Sequence, residues 1–199
     1  MRYLFALLLV LTMPFAWADV TLTIVDQDNE PVTDAVIFLP NSMVDTPEKL
    51  AIMDQIDESF VPRVLVIQKG QSVTFPNSDD IRHHVYSFSE PKSFELKLYN
   101  GNEIPPIEFD KSGIVVLGCN IHDSMIGYIL VADNSYAVQA DDNGQITLPA
   151  KAGDKITLWS ERLIEGTNTL KELDITSSSA QTIKLELLPP IEHDHYMDY

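Results

Sequence analysis

Short segments in which apolar and polar residues alternate recur along nearly the whole chain, and they constrain its fold more than any other feature. "VTLTIVD" (20–26) sets Val20, Leu22 and Ile24 against Thr21 and Thr23, the period-two pattern of a half-buried strand. The turn "QDNEP" leads to "DAVIFLP" (34–40), which the pattern returns as the second arm of a hairpin. "RVLVIQ", "SVTF", "HHVYSFS", "SFELKLY", "GIVVLG", "GYILV", "YAVQA", "QITLPA", "AGDKITLWS" and "TIKLELL" follow, separated by Gly, Pro, Asn and Asp. Short strands with turn signals at this spacing predict an all-β sandwich or barrel. Between 41 and 59 the alternation is lost, and "TPEKLAIMDQ" allows one short helix. Pro189 and Pro190 stop the pattern, leaving "IEHDHYMDY" (191–199) as an acidic, solvated tail that carries His193 and His195.

The first 18 residues read differently. Arg2 supplies a positive start, Leu4 to Leu11 an apolar run, and Ala16-Trp17-Ala18 a small-residue cleavage site. The run is too short for a membrane span. A secretory signal cleaved after Ala18 is expected, giving a soluble protein of a bacterial periplasm with no membrane span once processed. A formal net charge of −17 argues against nucleic acid and anionic lipid as partners. It serves solubility, and it would also steer a basic partner. The chain has one cysteine, so an internal disulfide is excluded even in an oxidising compartment.

That cysteine has informative neighbours. In "GIVVLGCNIHDSMIGYILV" (113–131), Cys119, His122 and Met125 follow at intervals of three between two strand-like runs. A fourth donor has to come from another loop at the same sheet end, and His83 and His84 stand at the start of "HHVYSFS". Two imidazoles, one thiolate and a weak thioether form the ligand set of a blue-copper electron-transfer site. Zinc also takes Cys and His, but its closed sites favour more thiolates. Adjacent strand residues face opposite ways, so only one of His83 and His84 can bind. His84 shares its face with Tyr86 and Phe88, which look more core-like than Val85 and Ser87; on the residues alone both stay open.

These residues resemble the cupredoxin family, of the plastocyanin and amicyanin kind. Gly113, Cys119, His122, Met125, Gly127 and the strand to Val131 match its closing motif, and "FVPRVLVIQKGQSVTFPN" is similar to its opening strands. Asn77 precedes His83 as the family's Asn precedes its first ligand. The resemblance covers roughly 58–133. It implies a Greek-key sandwich holding one copper ion that cycles between Cu(I) and Cu(II). His83, Cys119 and His122 would be equatorial ligands and Met125 axial, with His84 behind them as the alternative to His83. Asp123 and Arg82 stand where relatives often have proline, and Gly118 where a bulky residue is frequent.

The flanks resemble the carboxypeptidase regulatory-like β-sandwich through "VDQDNEPVTDAV" and "DDNGQITL". The expected layout is therefore a signal (1–18), a discontinuous small Ig-like sandwich (19–45 plus 134–190), a cupredoxin-like copper domain nested in it (46–133), and the tail. Chains of this layout often carry a methylamine-utilisation label. The implied function is single-electron transport between redox partners, such as a cytochrome or dehydrogenase with a basic face. The alternative is a copper chaperone, store or assembly factor without redox turnover. No catalytic motif is present, and an enzyme is not expected. Asp79-Asp80 read as a solvated loop, Met53 as boundary packing, and Trp159 as core of the second sandwich.

Overall fold

The computed structural model describes residues 19–101 and 104–190; the signal expected over 1–18 and the tail with His193 and His195 lie outside them. Seventeen strands and no helix occur among the described residues, so the chain is all-β as its alternation predicts. The first five strands are β1 (Val20–Val25), β2 (Val36–Met43), β3 (Ala51–Ile52), β4 (Asp54–Ile56) and β5 (Ser59–Val61). Next come β6 (Val64–Gln68), β7 (Ser72–Thr74), β8 (His83–Phe88), β9 (Ser93–Tyr99), β10 (Ile107–Glu108), β11 (Gly113–Gly118) and β12 (Ile126–Ala132). The last five are β13 (Ser135–Gln139), β14 (Gln145–Leu148), β15 (Lys155–Trp159), β16 (Lys171–Asp174) and β17 (Ala180–Lys184).

One core lies between the sheets β14-β1-β17 and β13-β2-β15-β16. Val20, Leu22 and Ile24 of β1 enter it from one side, and Ile37, Leu39, Ile156 and Leu158 from the other. The hairpin expected from "VTLTIVD" and "DAVIFLP" does not form. β1 pairs with β14 and β17, β2 with β13 and β15, and only a Val25–Pro31 bridge joins the two arms. Both segments bury alternate side chains in the same core, so the chain arches between facing sheets instead of turning within one.

The second core belongs to the five-stranded sheet β6-β12-β11-β8-β9 and the short sheet β10-β7-β3. It contains Phe75, Val85, Phe109, Val115, Leu117, Cys119, Met125 and Ile129. The short helix allowed over "TPEKLAIMDQ" is absent. β3 joins β7 and β4 pairs with β5, because Met53 and Gln55 are wholly buried while Ile52 and Ile56 face out, a strand period. Met53 is thus core.

A third cluster couples the two. Val36 and Trp159 meet Val64, Tyr128 and Leu130, with the Tyr128 and Trp159 ring centroids 5.0 Å apart. Trp159 was expected inside the flanking sandwich; it lies instead at this junction, donating its indole N–H to Thr167 O at 2.7 Å.

Candidate metal centre

β11 ends at Gly118 and hands the chain to Cys119, and β12 begins one residue after Met125. The connection between them is tied internally. The Cys119 N–H donates to Met125 O at 3.2 Å, Met125 N–H to His122 O at 3.0 Å and Ile126 N–H to Ser124 O at 3.0 Å. Glycines at both ends admit aromatic rings against the backbone. A Cβ at Gly118 would lie 2.8 Å from the Tyr86 Cζ and hydroxyl, and one at Gly127 would lie 2.9 Å from Phe60 Cβ. Tyr86 therefore occupies the space that a bulky residue before the cysteine would take.

His83, Cys119 and His122 converge. One donor atom from each lies within 4.8 Å of those of the other two, and the two imidazole centroids are 5.1 Å apart. The thiol is unpaired and buried. Met125 is buried in the same core cluster. His84 stands outside this group: it is on the opposite face of β8, with its Nε2 2.9 Å from Glu95 and its ring 5.5 Å from Tyr86. The face argument that favoured His84 fails because Val85 and Ser87 are the buried pair, whereas Phe88 is 83% exposed.

Each converging imidazole has one nitrogen engaged and one idle. His83 Nε2 is 2.6 Å from Asp79 Oδ2, and His122 Nε2 is 3.5 Å from Glu58 Oε2. An ionised carboxylate only accepts, so Nε2 of His83 carries the proton. Nδ1 of both rings is buried without a hydrogen-bond partner, as is Nδ1 of His84, and it is the convergence on Cys119 that sets His83 and His122 apart. Buried polar atoms are ordinarily satisfied, and an idle imidazole nitrogen beside a thiol fits a metal ligand whose other nitrogen is oriented by a carboxylate. The donor set, two imidazoles and one thiol with Met125 buried in the same core cluster as the thiol, fits copper.

The carboxylates come from elements that the sequence reading passed over. Asp79, expected in a solvated loop, is 11% exposed at its side chain and accepts from the Asp57 N–H at 2.7 Å and the Glu58 N–H at 3.0 Å. Burial pushes its carboxyl up, but the bonds from Glu58, His83 and Asp57 outweigh that, and it is held below the usual 3.8. Those N–H groups belong to the β4–β5 turn, where Asp57 and Glu58 both have positive φ, 49° and 55°. Asp79 thus stabilises a type I′ turn made of two non-glycine residues. Asn77 shapes the same loop, accepting from the Asp79 N–H at 3.0 Å and donating to Ile81 O and Tyr99 O. The spacing Asp79–His83 is the one signal in the sequence that points to this partner; nothing there marks Glu58.

Gln55 and Tyr99 lie buried nearby. The Gln55 amide donates to Pro76 O at 2.9 Å and to the Tyr99 hydroxyl at 2.5 Å, and that hydroxyl donates to Phe75 O at 2.7 Å. Burial pushes the Tyr99 phenol up to about 12; the Gln55 bond opposes this, and the nearby Asp54 carboxylate adds to it. The phenol is therefore a neutral donor at physiological pH.

By sequence the chain matches no protein-family pattern and no curated protein. Its fold is similar to several solved structures. A copper-containing nitrite reductase from Thermus scotoductus SA-01 is 29% identical over 43% of this chain and 23% of that one, with a TM-score of 0.40. A purple cupredoxin from Nitrosopumilus maritimus is 21% identical over 43% of this chain and 100% of its own, with a TM-score of 0.37. A reduced amicyanin variant is 17% identical over 48% and 98%, with a TM-score of 0.38. The chain spans under a quarter of the nitrite reductase.

Proposed function

We propose that this chain is an exported type 1 copper protein that carries single electrons between redox partners. The observation that carries the reading is the convergence of His83, His122 and the lone thiol of Cys119, with one donor atom from each within 4.8 Å of the others and a buried, unpartnered Nδ1 on both imidazoles. In this reading His83, Cys119 and His122 would hold the ion, with the Met125 thioether as a weaker fourth donor. Bound copper supplies one-electron exchange between Cu(II) and Cu(I). The protein's part is to keep one donor arrangement for both states. His83 is fixed through Asp79, and the Cys119–Met125 loop by its own backbone bonds. Four protein donors leave no position for a substrate, which suits a carrier and not an enzyme.

The His122 side chain is 21% exposed, so its ring edge is the route for electrons to leave. The acidic chain would draw a basic partner, a cytochrome or dehydrogenase, and lose that advantage in salt. The leader-like pattern of residues 1–18 supports export to a bacterial periplasm. The flanking strands read as a carboxypeptidase regulatory-like sandwich into which the copper unit is inserted.

Protein-film voltammetry separates this from copper handling without turnover. A carrier gives a reversible one-electron couple and retains copper in both states. Cu(I) binding with ready exchange and no reversible couple would replace the carrier reading with a chaperone or store.

A further inference from the structure

The metal loop is tied to the flanking sandwich through one arginine. Arg63 precedes β6, and its guanidinium reaches in two directions at once. Nε donates to Glu161 Oε1 and Oε2 at 3.0 and 3.1 Å, and Nη2 to Oε2 at 2.8 Å. Nη1 donates to Ile126 O at 2.9 Å. Ile126 is the residue after Met125, and Met125 O accepts the Cys119 N–H. The group also lies 5.9 Å from the Tyr128 ring centroid.

The far end is equally fixed. Glu161 is only 10% exposed at its side chain, and its N–H donates to Asp34 Oδ2 at 2.8 Å. The same oxygen accepts from the Ser160 hydroxyl at 2.6 Å. Asp34 lies in the connection between β1 and β2, and Ser160 follows β15. A continuous path therefore runs from the first core through Asp34, Glu161, Arg63 and Ile126 to the loop bearing Cys119 and Met125.

We infer that Arg63, held by Glu161, is a positioning residue for the metal loop, so that the flanking sandwich sets the geometry of the copper site; this rests on the copper reading above. A partly buried ion pair is a poor device for stability alone, since desolvation offsets its attraction. A lysine would neutralise Glu161 as well. What lysine lacks is a rigid planar fork that spans a carboxylate and a backbone carbonyl together. A shift at Ile126 moves Met125, and a thioether donor would tune such a centre.

The test uses the whole chain with Arg63→Lys, which keeps a charge opposite Glu161, and an Arg63→Met/Glu161→Met double variant, which keeps the junction filled if the first does not fold. In the apo protein, amide exchange at Cys119 should quicken roughly tenfold, while Leu22 in β1 exchanges as before. In the copper form, the Cu(II) hyperfine splitting should shift, and the Cu(II)/Cu(I) affinity ratio should change about threefold or more. Folded variants with unchanged Cys119 exchange and an unchanged copper spectrum would overturn the inference. A parent protein with no thiolate-to-copper band would instead overturn the copper reading, and the apo exchange would still decide whether Arg63 braces the loop.

Discussion

Asp79 accepts three hydrogen bonds, from His83 and from the Asp57 and Glu58 amides, so neutralising it disturbs both a ligand and a turn. Asp79→Asn replaces an acceptor oxygen with a donor facing donors. Copper(II) affinity should fall about 10–100-fold, the range for partners that orient a ligand. The reduction potential should rise, because a carboxylate on Nε2 makes the imidazole a stronger donor to Cu(II) than to Cu(I). Competition titrations in the two states measure both, and an unchanged potential would count against the role. The two loop glycines make a second comparison. Gly127→Ala drives a methyl into Phe60 Cβ, close to a buried backbone, whereas Gly118→Ala meets the far end of Tyr86, whose ring can yield outward. Thermal or urea unfolding should therefore show Gly127→Ala losing about 1–3 kcal/mol and Gly118→Ala distinctly less.

Among the elements, the arch between β1 and β2 is governed by Asp26. Its Oδ1 accepts from the Asp28 and Glu30 amides, both at 3.0 Å, and Oδ2 faces Arg162 at 3.1 Å. Burial pushes this carboxyl up, but the Glu30, Arg162 and Asp28 bonds together pull it below 3.8. A folded-state value below the unfolded one means stability that is present above 3.8 and lost as pH falls through the lower folded value. Asp26→Asn should thus be clearly less stable than the parent at pH 7. The difference should shrink steadily below pH 3.8 in denaturant melts across pH; a constant difference would show that the charge is not what matters. Such elements also mark the limit of what the sequence discloses. Alternation located β1, β8 and β11 because each has one more deeply buried face, whereas β12, buried on both faces, shows as a continuous apolar run. It could not say whether β1 and β2 share an edge or face each other, since both arrangements bury the same residues. The β4–β5 turn was hidden because Asp57 and Glu58 are not ordinary left-handed residues; a carboxylate 21 and 22 positions away holds them. Cys119, His122 and Met125 were legible because they sit within seven residues, and Glu58 and Arg63 were not, because only tertiary structure brings them to the site.

Across the whole molecule, Val36, Val64, Tyr128, Leu130 and Trp159 join the two cores, and Arg63–Glu161 and Gln68–Ser135 bridge the same boundary. The two cores should unfold together, with fluorescence and far-ultraviolet circular dichroism giving coincident transitions. Trp159→Ala should cost about 3–5 kcal/mol and split those transitions; separate transitions in the parent protein would contradict the coupling. The central claim, that this molecule builds a copper–thiolate centre from His83, Cys119, His122 and Met125, is tested most directly by titrating residues 19–199 with Cu(II) and recording visible absorption and EPR. One equivalent should produce an intense thiolate-to-copper band with a type 1 EPR signature, lost in Cys119→Ser and His83→Ala and kept in His84→Ala. No stoichiometric binding, or a band that survives in Cys119→Ser, would contradict it.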